Sequence, residues 1–219
     1  MLEITGIIFD IDGTLTSTNQ LIFDSFNFVA KKYTGNSLSE KQIIALFGPP
    51  EDVVLKKLTN EEEFESVKYD YYNFYQNNHK KMAALYPGIR ECLQIIKDAD
   101  IPLGIFTGKG RVATEITLSE LSLRDFFYPI VTGDDVKRHK PGGEGIELFL
   151  HTHNLKPENV LMIGDSVHDA AASKETGVHF AAALWDSYGK ADVEKLNPEF
   201  KFNDVFGLYN FLAKQLAKH

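Results

Sequence analysis

Two aspartates follow a short apolar run near the start of the chain, and a glycine and hydroxyl residues come directly after them. The stretch reads IIFDIDGTLTST, and the carboxylates belong to Asp10 and Asp12. Two carboxylates this close repel each other, and aspartate is a poor residue inside a strand. A cation is the first candidate to hold them together. The pattern therefore predicts a cation site where a strand ends.

Three further segments place polar residues directly after an apolar run. They are FTGKG with Thr107, TGDDVKRHKP with Lys140, and IGDSVHD with Asp165 and Asp169. The last two aspartates are four residues apart at the predicted start of a helix, so they share a face and need a cation or donors between them. Two aspartate clusters with hydroxyl groups and one lysine are typical of an oxygen-lined Mg²⁺ site that faces a phosphate.

The elements that must position these side chains alternate between short apolar runs and helical patterns. The first strand is expected at residues 4–9, and from Tyr86 onward the runs IPLGIFTG, YPIVTG, NVLMIGD and VHFAAAL are separated by helical patterns. This alternation predicts an α/β fold, a Rossmann-like parallel sheet with helices on both faces. Ligands of such sheets bind at the carboxyl ends of the strands. The four polar segments are therefore expected to meet at one edge.

The segment after the first strand has a different character. Residues 18–81 show helical periodicity only, and Ser39 with Gln42 forms the pattern of a capping box. We predict a Rossmann-like catalytic core from residues 1–15 and 87–219, with an inserted α-helical cap from residues 16–86 above the strand ends. The Phe and Tyr residues of the cap are expected to form its own core rather than a substrate pocket.

Composition limits the classes of partner. The formal net charge is −8 and the sequence pI is near 5.4, which argues against a nucleic-acid backbone as the partner. The single cysteine, Cys92, cannot form an internal disulfide, and no apolar stretch approaches the roughly 20 residues that span a bilayer. We expect a cytoplasmic protein without a membrane partner that acts on a small molecule. The oligomeric state is not indicated.

In residue type, order and spacing, the four polar segments resemble the four motifs of the haloacid dehalogenase superfamily, specifically its phosphatases with a helical cap. The first motif is Asp10-Ile11-Asp12-Gly13-Thr14, the second Thr107, the third Lys140 and the fourth Gly164-Asp165-Ser166-Val167-His168-Asp169. The cap segments STNQLIFDSF and FGPPEDV are similar to phosphoglycolate phosphatases and a related pyrophosphatase. The third motif departs from the family pattern in continuing as Pro141-Gly142-Gly143, which predicts a looser start of the next helix.

The resemblance implies roles for the four aspartates. Asp10 would attack phosphorus and form an aspartyl-phosphate. Asp12 would protonate the leaving oxygen and then activate water, while its backbone carbonyl binds the metal. Asp165 would complete the Mg²⁺ site, and Asp169 would bind the metal through water or orient its ligands.

The remaining motif residues are implied to bind the phosphoryl group. Thr107, the backbone amide of Gly108 and Lys140 would hold the oxygens on which charge spreads in the transition state. The implied activity is Mg²⁺-dependent hydrolysis of a small phosphomonoester, and phosphoglycolate is the expected substrate. Inorganic pyrophosphatase and sugar phosphomutase of the same superfamily are the alternatives.

Simpler interpretations exist for each segment taken alone. Asp12-Gly13 could form an Asx turn, and Asp165 with Asp169 could complement a helix dipole. A dehalogenase would lack the second aspartate of the first motif, and a non-catalytic relative is expected to have lost a motif residue. The occurrence of all four motifs in order favours a phosphohydrolase.

Overall fold

The computed structural model describes residues 3–217, and a six-stranded parallel sheet forms its centre. The sheet has the order β5-β4-β1-β6-β7-β8, and a separate two-stranded sheet pairs β2 with β3. The strands are β1 (Gly6–Phe9), β2 (Thr16–Ser17), β3 (Ala84–Leu85), β4 (Leu103–Phe106), β5 (Ile130–Val131), β6 (Val160–Gly164), β7 (His179–Ala183) and β8 (Phe200–Phe202).

Helices cover both faces of the main sheet, and four more lie between β2 and β3. The α-helices are α1 (Asn19–Thr34), α2 (Glu40–Ile44), α3 (Glu51–Leu58), α4 (Phe64–Met82), α5 (Ile89–Asp98), α6 (Arg111–Glu120), α7 (Glu144–His153), α8 (Val167–Thr176), α9 (Lys190–Lys195) and α10 (Val205–Leu216). Within residues 3–217, no helix has the length and apolar character that crossing a bilayer requires.

Strand β1 lies in the middle of the core, which explains its unbroken apolar sequence. Ile7 and Phe9 pack in the cluster formed with α5 and α10, whereas Ile8 points to the opposite face and packs with α7. A parallel strand covered on both faces needs apolar residues at every position. The predicted α/β fold is confirmed, although the strand begins at Gly6 rather than at residue 4.

The segment between β2 and β3 contains only helices and turns, as its periodicity predicts. Its four helices have their own apolar cluster, and α1 packs mainly against α4. The predicted capping box of Ser39 and Gln42 is present at the start of α2. The two ends of the segment lie side by side, because Thr16 pairs with Leu85 and Ser17 with Ala84 in an antiparallel ladder. The assignment of residues 16–86 as a separate cap domain stays a prediction.

Two features of the fold lie outside the sequence-based expectations. Strand β8 and helix α10 extend the sheet and its helical layer at the C-terminal end, and Phe200 and Phe202 of β8 both contact Phe211 of α10. Cys92 is fully buried on the apolar face of α5.

Candidate active site

The four polar segments meet at the carboxyl edge of the sheet. Three of them follow β1, β4 and β6, which are neighbours in the sheet, and the fourth precedes α7. They line one cavity of about 280 Å³ that lies between the sheet edge and the helical segment. Every residue predicted for the site lines it, namely Asp10, Asp12, Thr107, Gly108, Lys140, Asp165 and Asp169.

A buried lysine joins two of the aspartates. Lys140 Nζ donates to Asp10 Oδ1 over 2.8 Å and to Asp169 Oδ1 over 2.6 Å. The second oxygen of Asp169 accepts from the hydroxyl of Ser166 over 2.6 Å and from the backbone N–H of Ser166 over 3.1 Å. These bonds are part of a capping box at the start of α8. Both oxygens of Asp169 are therefore engaged, whereas Asp10 keeps one oxygen without a donor among the described residues.

Burial dominates the electrostatics of this group. Burial raises the pKa of Asp10 to about 6, because Lys140 offsets the loss of water only in part and Asp169 adds repulsion. Burial also raises the pKa of Asp165 well above its usual range, and Asp10 adds to the effect. Burial alone would lower the pKa of Lys140, but the carboxylates of Asp10 and Asp169 outweigh it and raise that pKa.

The acidic cluster fits a divalent cation. Asp10, Asp165 and Asp169 each offer an oxygen, and these oxygens all lie within 4.8 Å of one another. In the described part of the chain, the only side chain that donates to Asp165 is Ser187, and it donates to the backbone carbonyl and not to the carboxylate. Gly13 lets the loop after β1 approach this carboxylate, since its φ is +78° and a Cβ there would lie 2.6 Å from Asp165 Oδ2. Clustered carboxylate oxygens are the ligands that Mg²⁺ prefers, and Asp10 and Asp165 are the members of this cluster that keep an oxygen without a donor among the described residues.

Asp12 lies beside a second buried lysine that the sequence analysis did not assign to the site. Lys109 Nζ lies 3.0 Å from Asp12 Oδ2 and 3.2 Å from Oδ1, and the Thr18 hydroxyl donates to the same carboxylate. The Lys109 side chain is 1% exposed. Lys109 is part of the FTGKG segment, two residues after Thr107, so its position after a strand was the available signal.

Glu51 is a second residue that the sequence analysis missed. It is the first residue of α3, and its carboxylate reaches across to the loop after β4. One oxygen accepts from the backbone N–H of Gly110 over 2.6 Å, and the other lies 3.6 Å from Lys109 Nζ. Burial raises the pKa of Glu51, and Lys109 partly offsets the effect. Its only sequence signal is an acidic residue after Pro49-Pro50.

The loop that follows β4 lies tightly against the helical segment. A Cβ on Gly108 would lie 2.5 Å from the backbone carbonyl oxygen of Gly48, so only glycine fits at this contact. The Thr107 side chain is buried, and its hydroxyl accepts from the backbone N–H of Lys109 over 3.3 Å. The second motif therefore presents a compact polar loop to the cavity.

The aromatic residues of the helical segment divide into two groups. Tyr71 and Tyr75 are fully buried within the helical cluster, as expected. Phe26 and Phe47 instead also line the cavity. Phe26 also belongs to the cluster of the helical segment and Phe47 packs against it, so both residues have the expected core role in addition to their place at the cavity.

The unusual third motif is held by an acidic residue. The helix α7 begins at Glu144 without a side-chain cap from Gly143. The Glu144 carboxylate accepts from the backbone N–H groups of Lys137 and Arg138 over 3.1 and 2.9 Å. The first residue of α7 thus fixes the loop that carries Lys140.

The sequence matches the family model described as haloacid dehalogenase-like hydrolase over residues 7–183. The chain belongs to this family. Among curated relatives of this haloacid dehalogenase-like hydrolase, pyrophosphatase PpaX of Bacillus thuringiensis (strain Al Hakam) is 31% identical over 212 residues, which cover 97% of this chain and 98% of that protein.

Solved structures of other proteins share this fold. A predicted phosphoglycolate phosphatase from Haemophilus somnus 129PT has a TM-score of 0.86 at 22% identity, and the match covers 96% of this chain and 99% of that chain. A protein described as a candidate β-phosphoglucomutase from Thermotoga maritima has a TM-score of 0.74 at 26% identity, with coverage of 96% and 99%. The first likeness establishes the fold of this haloacid dehalogenase-like hydrolase.

Proposed function

We propose that this protein is a Mg²⁺-dependent phosphatase that hydrolyses a small phosphomonoester through an aspartyl-phosphate on Asp10. The observation that carries the proposal is the arrangement of Asp10, which directly follows β1, with one oxygen held by Lys140 and the other without a donor from residues 3–217. A carboxylate in this position has a fixed orientation and a free oxygen for attack.

In the first step, the free oxygen of Asp10 attacks phosphorus, and the bond between phosphorus and the leaving-group oxygen breaks. Asp12 supplies a proton to that leaving oxygen. Lys140, Thr107 and the backbone N–H of Gly108 bind the equatorial phosphoryl oxygens, where negative charge spreads. The product of this step is an acyl phosphate on Asp10 and a free alcohol.

In the second step, water attacks the phosphorus of the acyl phosphate. Asp12 accepts the proton of that water, the phosphorus–oxygen bond to Asp10 breaks, and inorganic phosphate leaves. Lys109 and Thr18 both contact the Asp12 carboxylate, so they orient it for both proton transfers.

Asp10, Asp165 and the backbone carbonyl of Asp12 would hold Mg²⁺, with Asp169 acting through Lys140 and Ser166. The bound ion supplies positive charge that allows Asp10 and Asp165 to be ionised together next to a phosphate. Without that charge, burial and mutual repulsion favour a proton on these carboxylates.

Two alternatives remain from relatives and neighbours. Pyrophosphate hydrolysis is supported by the 31% identity to pyrophosphatase PpaX. Phosphoryl transfer within a sugar uses the same two aspartates and would require an added bisphosphate. Haloacid cleavage is disfavoured, because that chemistry has no use for Asp12 or for the cation site.

The test is phosphate release from a panel of phosphomonoesters and pyrophosphate with Mg²⁺, for the wild-type protein and for Asp10→Asn. The variant keeps an acceptor for Lys140 but loses the nucleophile, so turnover should fall by about a thousandfold or more. Asp125→Asn, a substitution at an exposed position, is the matched control and should retain wild-type activity. Activity of Asp10→Asn within roughly tenfold of the wild type would contradict the proposal.

A further inference from the structure

The side of the cavity that the helical segment forms has an apolar wall. Its apolar side chains come from α1, the end of α2 and the loop after it, and α3, all within the helical segment. They are Ile22, Phe26, Ile44, Leu46, Phe47 and Val54. In a phosphatase with the nucleophile at the sheet edge, this wall faces the leaving group rather than the phosphoryl group.

Positive charge is scarce in the same cavity. In the described part of the chain, the lysine and arginine residues that line it are Lys109 and Lys140 only. Lys140 contacts Asp10 and Asp169 at the phosphoryl end. Lys109 instead contacts Glu51 and Tyr75 of the helical segment, so among the described residues it is the only lysine or arginine that lines the cavity there.

The charge of Lys109 is already compensated. Its ammonium lies 3.0 Å from Asp12 and 3.6 Å from Glu51, and the ring of Tyr75 lies 4.8 Å from it. The Glu51 side chain is 7% exposed, and its other oxygen is fixed by the backbone N–H of Gly110. Glu51 thus compensates the ammonium even when Asp12 carries the proton for the leaving oxygen, so an additional anion beside Lys109 finds no uncompensated positive charge.

We propose that the site selects phosphomonoesters whose leaving group is uncharged and apolar, and that Glu51 determines this specificity by cancelling the charge of Lys109. The proposal rests on the phosphatase function proposed above. It disfavours phosphoglycolate and pyrophosphate, because the glycolate carboxylate or the second phosphate would lie beside apolar side chains and a compensated lysine. The volume of about 280 Å³ restricts the leaving group to a small one.

The experiment compares two substrates that differ by one carboxylate, phenyl phosphate and 3-carboxyphenyl phosphate, with Mg²⁺ present. For the wild-type protein, we expect kcat/KM to be roughly tenfold or more higher for phenyl phosphate, because the carboxylate would lose its water without gaining a partner. The difference should lie mainly in KM. Equal or reversed preference would overturn the proposal.

The variant Glu51→Gln tests the assigned residue. Its amide oxygen can still accept from Gly110, but the negative charge beside Lys109 is removed. The ratio of kcat/KM for phenyl phosphate to kcat/KM for 3-carboxyphenyl phosphate should fall by about tenfold, mainly because kcat/KM for the carboxylated substrate rises. Glu62→Gln, an exposed residue before α4, is the matched control and should keep the wild-type preference. An unchanged preference in Glu51→Gln would contradict the role of Glu51.

A binding measurement separates this proposal from the phosphatase function. Benzylphosphonate and 3-carboxybenzylphosphonate carry the same pair of groups but cannot be hydrolysed, and calorimetry gives their affinities for the wild-type protein with Mg²⁺. Tighter binding of benzylphosphonate without hydrolysis of any phosphate ester would sink the phosphatase function and leave the specificity intact. Hydrolysis of phosphate esters together with tighter binding of 3-carboxybenzylphosphonate would support the phosphatase function and overturn the proposed specificity.

Discussion

The ammonium of Lys140 lies 2.6 Å from an oxygen of Asp169, which joins the loop before α7 to the first turn of α8 beneath the candidate nucleophile. Asp169 is 1% exposed, and its second oxygen accepts from Ser166. An aspartate with both oxygens engaged positions its neighbours. Its position favours an orienting role over direct contact with the metal.

We predict that Asp169→Asn weakens catalysis through Lys140. The amide replaces only one of the two carboxylate oxygens and removes the negative charge beside Lys140, so Lys140 should be held less firmly. Activity is expected to fall by roughly 10- to 100-fold, as for other groups that orient a site. The readout is a Mg²⁺ titration alongside kcat and KM. A large rise in the Mg²⁺ concentration for half-maximal activity, with kcat restored at saturation, would instead identify a direct ligand.

Metal removal should abolish activity and lower stability. The free carboxylates of Asp10 and Asp165 repel each other in a buried site, and a bound cation relieves that repulsion. EDTA should therefore eliminate phosphate release, and Mg²⁺ should restore it and raise the thermal unfolding temperature. Ca²⁺ should raise the unfolding temperature too but support little turnover, because its larger radius favours higher coordination. Full activity after exhaustive chelation would exclude the metal site.

A buried histidine should make the protein less stable in acid. His79 of α4 is fully buried, and neither ring nitrogen has a hydrogen-bond partner among the described residues. Burial lowers its pKa, and Lys109 contributes. The unfolded chain, with a histidine pKa of about 6.5, then binds the proton more readily than the folded chain, so stability falls as pH drops below about 6.5.

The variant His79→Gln isolates this contribution. Gln does not titrate, so the slope of unfolding free energy against pH between about 5 and 8 should be less positive than in the wild type, while the opposing contribution of Asp10 is the same in both proteins. Urea unfolding at several pH values provides the measurement. His151→Gln, at an exposed position of α7, serves as the control and should keep the wild-type slope. Identical slopes for wild type and His79→Gln would rule out His79 as the source.

Removal of the helical segment should reduce selectivity more than chemistry. If residues 16–86 are replaced by a short linker, the residues after β1, β4 and β6 remain on the sheet. This variant should retain slow hydrolysis of an activated aryl phosphate and lose most of its kcat/KM for substrates with poor leaving groups. The ranking of substrates should largely disappear.

The control for this deletion is the folded state of the shortened protein. Ala113 of α6 packs against the helical segment, and Thr117 bonds to Tyr75 there over 2.9 Å, so the deletion exposes their face of the sheet domain. Circular dichroism and Mg²⁺ binding on the same sample report whether the core survives. A folded, Mg²⁺-binding core with the wild-type ranking of substrates would show that specificity comes from the sheet side.

The sequence allowed prediction of the residues that follow strands, because strand ends in a parallel sheet converge at one edge. Asp10, Thr107 and Asp165 could be placed together for this reason. The pairing of Glu51 with Lys109 could not be predicted, since it depends on how α3 packs over the loop after β4. Strand β8 was missed because three residues are too few to establish a period.

The short ladder between β2 and β3 places the two points at which the chain enters and leaves the helical segment side by side. Residues that face each other in an antiparallel ladder have Cα atoms only about 4.5–5.5 Å apart. Thr16 and Leu85 are such a pair. A foreign helical block whose ends are equally close could therefore be grafted at this point without moving β1 or α5. The helical segment between β2 and β3 could thus be exchanged as one unit, while the residues of the candidate active site that follow β1, β4 and β6 keep their positions.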